Sequence, residues 1–255
     1  MLIKIFSYNI KGLPYISDSF TNQLADWFTN TDYDLICFQE VFTQSRIDIL
    51  SNALSKIGYT ILKPNDFKEW TNFLGSGLLT AIKNKDWSII SDTFITYNTR
   101  VGAEIITNKG FHSIELQHKA SMEYVVVVNT HMQSENPSTY FGGCFDTRPI
   151  RKAQPQQIYD YFLTMPKTRH ILIGDLNSEQ ESHDDILYLT GSKQGFNKHT
   201  FIPTGEDLDH VAILPKFWYG FVPPLLKDIA VLTKLNWSDH WPIHVIMFCE
   251  TSIKR

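Results

Sequence analysis

The sequence lacks several features that would each point to a particular class of protein. It has no basic excess, since 23 lysines and arginines stand against 27 acidic residues, for a net charge of -4. Proteins that bind nucleic acid mainly through backbone charge usually carry such an excess, so the balance weighs against that class, although a local basic patch stays compatible with it. The chain has only 3 cysteines, and their spacing does not suggest a zinc site.

Long apolar runs are also missing. No run approaches the length that spans a membrane, and the N-terminus leads straight into a strand pattern instead of a signal peptide. We therefore expect a soluble, intracellular protein, or one from which an earlier targeting segment has been removed. The composition, 43% hydrophobic and 20% charged over 255 residues, is that of an ordinary globular protein. We expect a single domain over residues 1–255 and a monomer.

Apolar periodicity predicts many strands and few helices. Strands are expected at 2–9, 34–38, 78–82, 87–95, 103–107, 111–116, 124–130, 171–173, 209–214, 228–232 and 243–249. Helices are expected from about residue 18, over 46–56, over 149–163 with a kink at Pro155, and over 184–189. Cys37 and Cys249 fall in apolar strands, which predicts buried, reduced thiols. The pattern favours two sheets packed face to face with helices on the outside.

Eight polar residues lie at, or close beside, the ends of these strands: Asn9, Glu40, His131, Asp175, Asn177, Asp209, Asp239 and His240. Each has a plainer explanation when taken alone, as a turn residue, a solvated loop residue or a structural histidine. Loops at one end of a sandwich, however, gather distant residues into one cleft. Carboxylates and amides are also the oxygen ligands that Mg²⁺ prefers. Together the eight residues predict one cleft suited to phosphate chemistry.

Six short motifs occur in order along the chain: Ser7-Tyr8-Asn9, Phe38-Gln39-Glu40-Val41, Asn129-Thr130-His131, Gly174-Asp175-Leu176-Asn177, Leu208-Asp209-His210-Val211 and Ser238-Asp239-His240-Trp241-Pro242. This series resembles the endonuclease/exonuclease/phosphatase superfamily, from residue 3 to about residue 248. The resemblance implies an α/β (α+β) fold, a four-layer α/β/β/α sandwich of two mixed sheets flanked by helices. It also implies a metal-dependent phosphodiesterase that uses Mg²⁺, with Mn²⁺ as a substitute.

The resemblance also implies a metal site. Glu40 would be the principal carboxylate ligand of the Mg²⁺ ion. Asn9 beside it would bind the metal or a phosphate oxygen of the substrate. Asp239 would support the metal site or a second ion.

The catalytic roles follow from the same resemblance. His240 would be the base that deprotonates or orients the attacking water, and Asp209 would hold its imidazole in the useful tautomer. Asp175 and Asn177 would position the nucleophile and the phosphoryl oxygens. His131 would donate a hydrogen bond to the phosphate or help to protonate the leaving group.

The substrate is left open between a lipid headgroup and a nucleic-acid end. Segments 8–14, 39–42, 74–78 and 129–134 resemble neutral sphingomyelinase-like members, which favours a phospholipid. The Ser-Asp-His-Trp ending is also similar to that of tyrosyl-DNA phosphodiesterases, so a DNA-processing nuclease or phosphodiesterase is the alternative. A non-catalytic binding module is a third reading, and the competent residue at every expected position argues against it.

An aromatic segment at 217–226 lies between the motifs of Asp209 and His240. We expect Trp218 and Phe221 to contact the non-phosphate part of the substrate beside the cleft. As an exposed loop the segment would make a peripheral contact with a membrane interface or stack on unpaired bases. A buried segment that fills core between two strands is the other reading.

Overall fold

Two mixed β-sheets with helices on their outer faces make up the described part of the protein. The structure is a computed structural model that describes residues 1–12, 17–64, 74–135, 146–165, 169–177, 199–203, 205–213, 225–235 and 237–249. The strands are β1 (Leu2–Asn9), β2 (Leu35–Gln39), β3 (Tyr59–Leu62), β4 (Leu79–Lys83), β5 (Trp87–Thr96), β6 (Gly110–His118), β7 (Tyr124–His131), β8 (Arg169–Asp175), β9 (Asp209–Ile213), β10 (Leu225–Val231) and β11 (Ile243–Phe248). The α-helices are α1 (Ser19–Phe28), α2 (Gln44–Lys56) and α3 (Arg148–Thr164).

Each sheet combines parallel and antiparallel strands. The first sheet has the order β10-β11-β1-β2-β4-β3, in which β1 is parallel to β2 and antiparallel to β11. The second has the order β5-β6-β7-β8-β9, in which only the β7 and β8 pair is parallel. The ends of β1, β2, β7 and β8 therefore lie where loops from both sheets can meet.

Three apolar layers separate the four layers of secondary structure. The alternation on β1 shows how they form: Ile5 faces the second sheet, whereas Phe6 faces the helices, as the period of two in a strand requires. Helix α1 buries Leu24 and Phe28 against that outer face, where the rings of Phe6 and Phe28 lie 5.1 Å apart. Helix α3 covers the second sheet through residues such as Phe162. The predicted four-layer sandwich is confirmed.

The element predictions hold with two exceptions. Strand β3 was not predicted, and the strand expected at 103–107 is wrong, because a 3-10 helix spans Gly102–Ile106. The β-branched residues there favour a strand, but the Glu104 carboxylate accepts hydrogen bonds from Lys109 and from the Ser134 N–H, which turns the segment inward. The predicted helix at 184–189 lies outside the described residues. Cys37 and Cys249 are buried free thiols, as predicted.

Among the described residues, no helix combines the length and the apolarity that crossing a membrane requires.

A buried amide bridge connects the two sheets near one end. Gln39 on β2 donates from Nε2 to Asn129 Oδ1 on β7 at 2.8 Å. Asn129 Nδ2 in turn lies within hydrogen-bonding distance of Phe38 O, Leu79 O and Thr80 Oγ1, at 3.2, 3.4 and 3.1 Å. Both amides are fully buried. Apolar contacts between sheets permit sliding, but these directional bonds fix β2 against β7.

Replacement of the bridge by an apolar side chain should destabilise the fold. We expect Asn129→Leu to lower the free energy of unfolding by about 2–4 kcal/mol, because it leaves several buried polar groups without partners. Urea denaturation measures the change. The matched control is Asn22→Leu in α1, where the side chain is exposed and donates to Asp18 O, so a change within about 0.5 kcal/mol is expected. Equal effects of the two substitutions would contradict the assignment.

Candidate active site

At one end of the sandwich, where β1, β7 and β8 end, the inner faces of the sheets change from apolar to polar. We call this end the polar edge. The inward position nearest this edge carries a polar side chain on four strands: Asn9, His131 and Asp175 end β1, β7 and β8, and Asp209 begins β9. In the second sheet His131 lies opposite Asp175, and Asp175 lies opposite Asp209. Residues in register share a face of the sheet. That face is the inner one, because Ile173, two residues before Asp175, belongs to the core between the sheets.

Asn9 joins the two sheets at this edge. Its Nδ2 donates to Glu40 Oε1 at 3.0 Å and to Asp175 Oδ2 at 2.8 Å. Its Oδ1 accepts the N–H of Lys11 at 3.0 Å. The amide thus turns its donor toward the carboxylates, while its oxygen, the atom that a metal would need, is engaged elsewhere. In this orientation Asn9 positions two carboxylates instead of presenting a ligand of its own.

His240 and Asp209 form a buried hydrogen-bonded pair. His240 Nδ1 lies 2.6 Å from Asp209 Oδ2, and His240 Nε2 lies 3.8 Å from Asp175 Oδ2. Burial disfavours the imidazolium, but the negative charges of Asp209 and Asp175 outweigh it and raise the pKa of His240 to about 10. The surroundings of His240 therefore favour its imidazolium form.

Burial raises the pKa of the two acidic residues that Asn9 holds. The pKa of Asp175 rises to about 7, against the lowering effect of His240. The pKa of Glu40 is also raised by burial, against the hydrogen bond from Asn9, and its side chain is 18% exposed. Carboxylates that ionise reluctantly here are stabilised by a neighbouring cation. Their environment thus favours a positively charged ligand.

The donor set at this edge fits a hard divalent cation. Mg²⁺ binds one or two carboxylates and keeps several waters, and Glu40 supplies a partly exposed carboxylate. Asp209 Oδ1 is buried and has no hydrogen-bond partner among the described residues. Ligand atoms of Asp175, Asp209 and His240 also lie within 4.8 Å of one another. Because His240 already bonds Asp209 through Nδ1, we interpret that group as a proton-transfer pair beside a metal site, not as the ligand set.

Lys109 reaches this site. It was not predicted, because it stands in a polar turn before β6 and no motif includes it. Its buried Nζ donates to Glu104 Oε1 at 2.7 Å and to Met132 O at 2.6 Å, and lies 3.1 Å from His131 Nε2. An ammonium can only donate, so His131 Nε2 accepts and the neutral ring carries its proton on Nδ1. Burial, followed by the charges of Lys109 and His240, holds the pKa of His131 well below its usual value.

Asn177 and Asp239 lie beside this group. The Asn177 N–H donates to Asp175 Oδ1 at 2.9 Å, and its Nδ2 donates to Met132 O at 2.9 Å. Asn177 thereby holds the loop after β8 and orients the Asp175 carboxylate. Asp239 Oδ2 lies 2.6 Å from the ammonium of Lys11.

Backbone strain is concentrated around the site. Four non-glycine residues with positive φ occur in the described part of the chain, and three of them are site residues: Lys11 at 47°, Glu40 at 58° and Asn177 at 51°. The left-handed region is unfavourable for residues with a Cβ, and such residues persist where the surroundings enforce them. The loops that carry these side chains are therefore fixed by their contacts and not by local preference.

A short segment before β9 holds the His240 pair together, and sequence reasoning missed it. Thr200 Oγ1 accepts the N–H of Asp209 at 3.0 Å, and Thr200 O accepts the N–H of Trp241 at 2.7 Å. The rings of Phe201 and His240 lie 4.9 Å apart. Thr200 thus connects the two loops that supply the pair.

All eight polar residues predicted from the strand ends come together at this edge of the sandwich: Asn9, Glu40, His131, Asp175, Asn177, Asp209, Asp239 and His240. Glu104, Lys109, Lys11 and Thr200 join them as unpredicted partners. Trp218 and Phe221, predicted to contact the substrate, lie outside the described residues, and their role stays a prediction.

The fold and this polar edge define a class of phosphoesterase. Residues 6–240 match the Endonuclease/Exonuclease/phosphatase family, and the chain belongs to that family. The family's name describes enzymes that cleave phosphate esters, which agrees with the carboxylate, amide and histidine groups at the edge. No curated protein matches the sequence.

Solved structures share the fold at low identity. Beta toxin from Staphylococcus aureus with bound magnesium ions is 19% identical, with a TM-score of 0.78 over 98% of this chain and 100% of that one. Sphingomyelinase C from Streptomyces griseocarneus is 18% identical, with a TM-score of 0.78 over 96% and 99%. D. rerio TDP2 with a single strand DNA product is 13% identical, with a TM-score of 0.71 over 97% and 99%. These similarities establish a common fold.

The Thr200 hydroxyl should be required for the short bond between Asp209 and His240. The shared Nδ1 proton of so short a charge-assisted bond should give a proton NMR signal far downfield of the amides. Thr200→Val removes the acceptor of the Asp209 N–H, so we expect this signal to shift or disappear. Thr200→Ser keeps the hydroxyl and should keep the signal, and His240→Gln assigns it by its absence. A folded Thr200→Val protein with the signal unchanged would contradict the role of Thr200.

Proposed function

We propose that this chain is a magnesium-dependent phosphodiesterase, a single catalytic domain over residues 1–255 that uses water activated by His240 and Asp209. The observation that carries the proposal is the buried Asp209–His240 pair, with its bond of 2.6 Å, next to Asp175 in a member of a phosphoesterase family. In the reaction the water oxygen bonds to phosphorus, and the ester oxygen leaves and takes a proton. The products are a phosphomonoester and an alcohol.

His240 is the group that takes the proton from water. As an imidazolium it carries a proton on Nε2 and cannot accept another, so it must first become neutral. The charge of Asp175 contributes to the raised pKa of His240. A positive charge beside Asp175 would offset its negative charge and so favour the neutral imidazole of His240. Asp209 keeps the remaining proton on Nδ1, which leaves Nε2 free to accept one from water.

Glu40 would hold the Mg²⁺ ion, with water molecules in the rest of its coordination shell. A bound Mg²⁺ neutralises negative charge on the phosphoryl oxygens, which is most of what phosphoryl transfer requires of an enzyme. Asn9 holds the Glu40 carboxylate in place through the bond of 3.0 Å. Mn²⁺ would substitute, since it accepts the same oxygen donors.

The pair of His131 and Lys109 would stabilise the phosphoryl oxygens from the other side. Lys109 is 3% exposed and provides a fixed positive charge against His131. Because His131 Nε2 accepts a hydrogen bond from Lys109, the donor that we assign to the phosphate is the pair and not His131 alone. Fixed donors of this kind act without reorganisation as charge develops.

We propose a phospholipid of the sphingomyelin type as the substrate. Support comes from the sphingomyelinase-like motifs in the sequence, from the similar fold of a sphingomyelinase C, and from the net charge of -4, which suits a nuclease poorly. Trp218 and Phe221 would contact the lipid at the membrane surface. A DNA end is the second candidate, because D. rerio TDP2, which holds a DNA product, shares the fold.

A hydrolysis screen tests the proposed function. With Mg²⁺ present we expect sphingomyelin vesicles to be cleaved faster than lysophospholipid, abasic DNA or 5′-tyrosyl DNA. Excess chelator should abolish cleavage, and Glu40→Gln should lower kcat by about 10²-fold or more, because the proposed metal ligand is weakened. Glu115→Gln, on β6 away from the site, is the control with unchanged activity.

The other results of the screen are also decisive. Preferred cleavage of a DNA end would replace the lipid substrate by the DNA alternative and retain the chemistry. Full activity in excess chelator would refute the metal mechanism. Binding of Mg²⁺ without cleavage of any phosphodiester would indicate a non-catalytic binding module.

Asp209 and His240 should act as one unit in catalysis. We expect Asp209→Asn and His240→Gln each to lower kcat by roughly 10³-fold, as is typical of an oriented general base. The double variant should lose little more than the worse single variant, because the second group has no function without the first. The rate of hydrolysis of a small soluble phosphodiester is measured for the wild type, both single variants and the double variant.

A second carboxylate–histidine pair provides the control. Asp92 lies 3.0 Å from His112 Nε2 on the neighbouring strands β5 and β6. Asp92→Asn changes the same chemical group outside the site, so we expect the rate to stay unchanged. Additive losses for Asp209 and His240 would mean that the two residues do separate jobs.

A further inference from the structure

Lys11 places an ammonium group directly on a carboxylate of the site. Its Nζ lies 2.6 Å from Asp239 Oδ2, and the two side chains are 42% and 21% exposed. A contact at this distance is shorter than most hydrogen bonds between charged groups. The Asp239 carboxylate, which the sequence predicted to support a metal ion, therefore already has a cation against one of its oxygens.

The backbone around Lys11 fixes the position from which its side chain extends. Lys11 is held at a φ of 47°, and its N–H donates to Asn9 Oδ1 at 3.0 Å. On the next residue, Gly12, an added Cβ would lie 1.9 Å from Glu40 O. The turn that presents Lys11 is thus packed against the backbone of Glu40 and tied to Asn9. Lys11 belongs to the architecture of the site and is not an incidental surface lysine.

Asp239 also acts electrically on the rest of the site. Gly12, next to Lys11, packs against the backbone of Glu40, so Asp239 and Glu40 belong to one group of charges. A cation bound to Asp239 therefore repels a cation near Glu40, and a single positive charge on Lys11 repels it less than a second divalent ion would.

We infer that the ammonium of Lys11 takes the place of a second divalent ion at Asp239, so that the chain binds one divalent ion, on the Glu40 side. The inference rests on the proposed metal-dependent function and adds the number of ions and the residue that sets it. An ammonium and a metal ion compete for the same Asp239 oxygen, because a carboxylate oxygen held by a fixed donor is a poorer ligand. Removal of the Lys11 charge should expose a second metal site.

Manganese binding to the full chain tests this inference without reference to catalysis. The free Mn²⁺ signal in electron paramagnetic resonance, followed through a titration, gives the number of ions bound. We expect one ion for the wild type and one for Lys11→Arg, which keeps the cation. Lys11→Met keeps the length and removes the charge, so a second Mn²⁺ should bind. Addition of Asp239→Asn to Lys11→Met should return the count to one.

Each result decides the question. Two ions bound to the wild type, or one ion bound to a folded Lys11→Met protein at saturating Mn²⁺, would overturn the role of Lys11 and leave the proposed phosphodiesterase intact. No ion bound to the wild type would remove the metal from the proposed function, and this inference with it. Circular dichroism verifies folding, and Lys11→Gln is the second neutral variant if Lys11→Met does not fold.

Discussion

The hydrogen bond between Gln39 and Asn129 is the contact on which the geometry of the site depends. It lies between the apolar core and the polar edge, and it joins the strand before Glu40 to the strand that ends at His131. Apolar side chains hold the sheets together, but they do not fix how far one sheet is shifted along the other. With that shift fixed by the amide pair, Asn9 on one sheet meets Asp175 on the other at 2.8 Å. The polar edge is thus positioned by a buried pair of amides that lies behind it.

Much of this arrangement could be predicted from the sequence. A strand alternates with a period of two, so the end of an apolar strand predicts which polar residue follows on the inner face. Asn9, His131 and Asp175 lie at the ends of predicted apolar strands and within motifs that resemble the family, which is why they were found. The helix faces followed from helical spacing, and the buried cysteines from their place in apolar strands. Where the pattern was weak, as in the segment before Lys109, the β-branched residues predicted a strand and the contacts of Glu104 produced a 3-10 helix.

The partners of the site residues could not be predicted, because their contacts join distant parts of the chain. Lys109, Thr200 and Lys11 are ordinary loop residues by composition. Their significance lies in single contacts, from Lys109 to His131, from Thr200 to Asp209 and from Lys11 to Asp239. Contacts of this kind depend on the packed sheets and leave no periodic trace in the sequence. The orientation of the Asn9 amide could not be predicted for the same reason.

The pairing of the first strand with the last described one has a consequence for protein synthesis. Strand β1 lies inside its sheet, between β2 and β11, and it carries Asn9, whereas His240 immediately precedes β11. Long-range pairings of this kind form late, since loop closure must precede the contacts that reward it. The polar edge of a nascent chain therefore stays incomplete until β11 has left the ribosome and paired with β1.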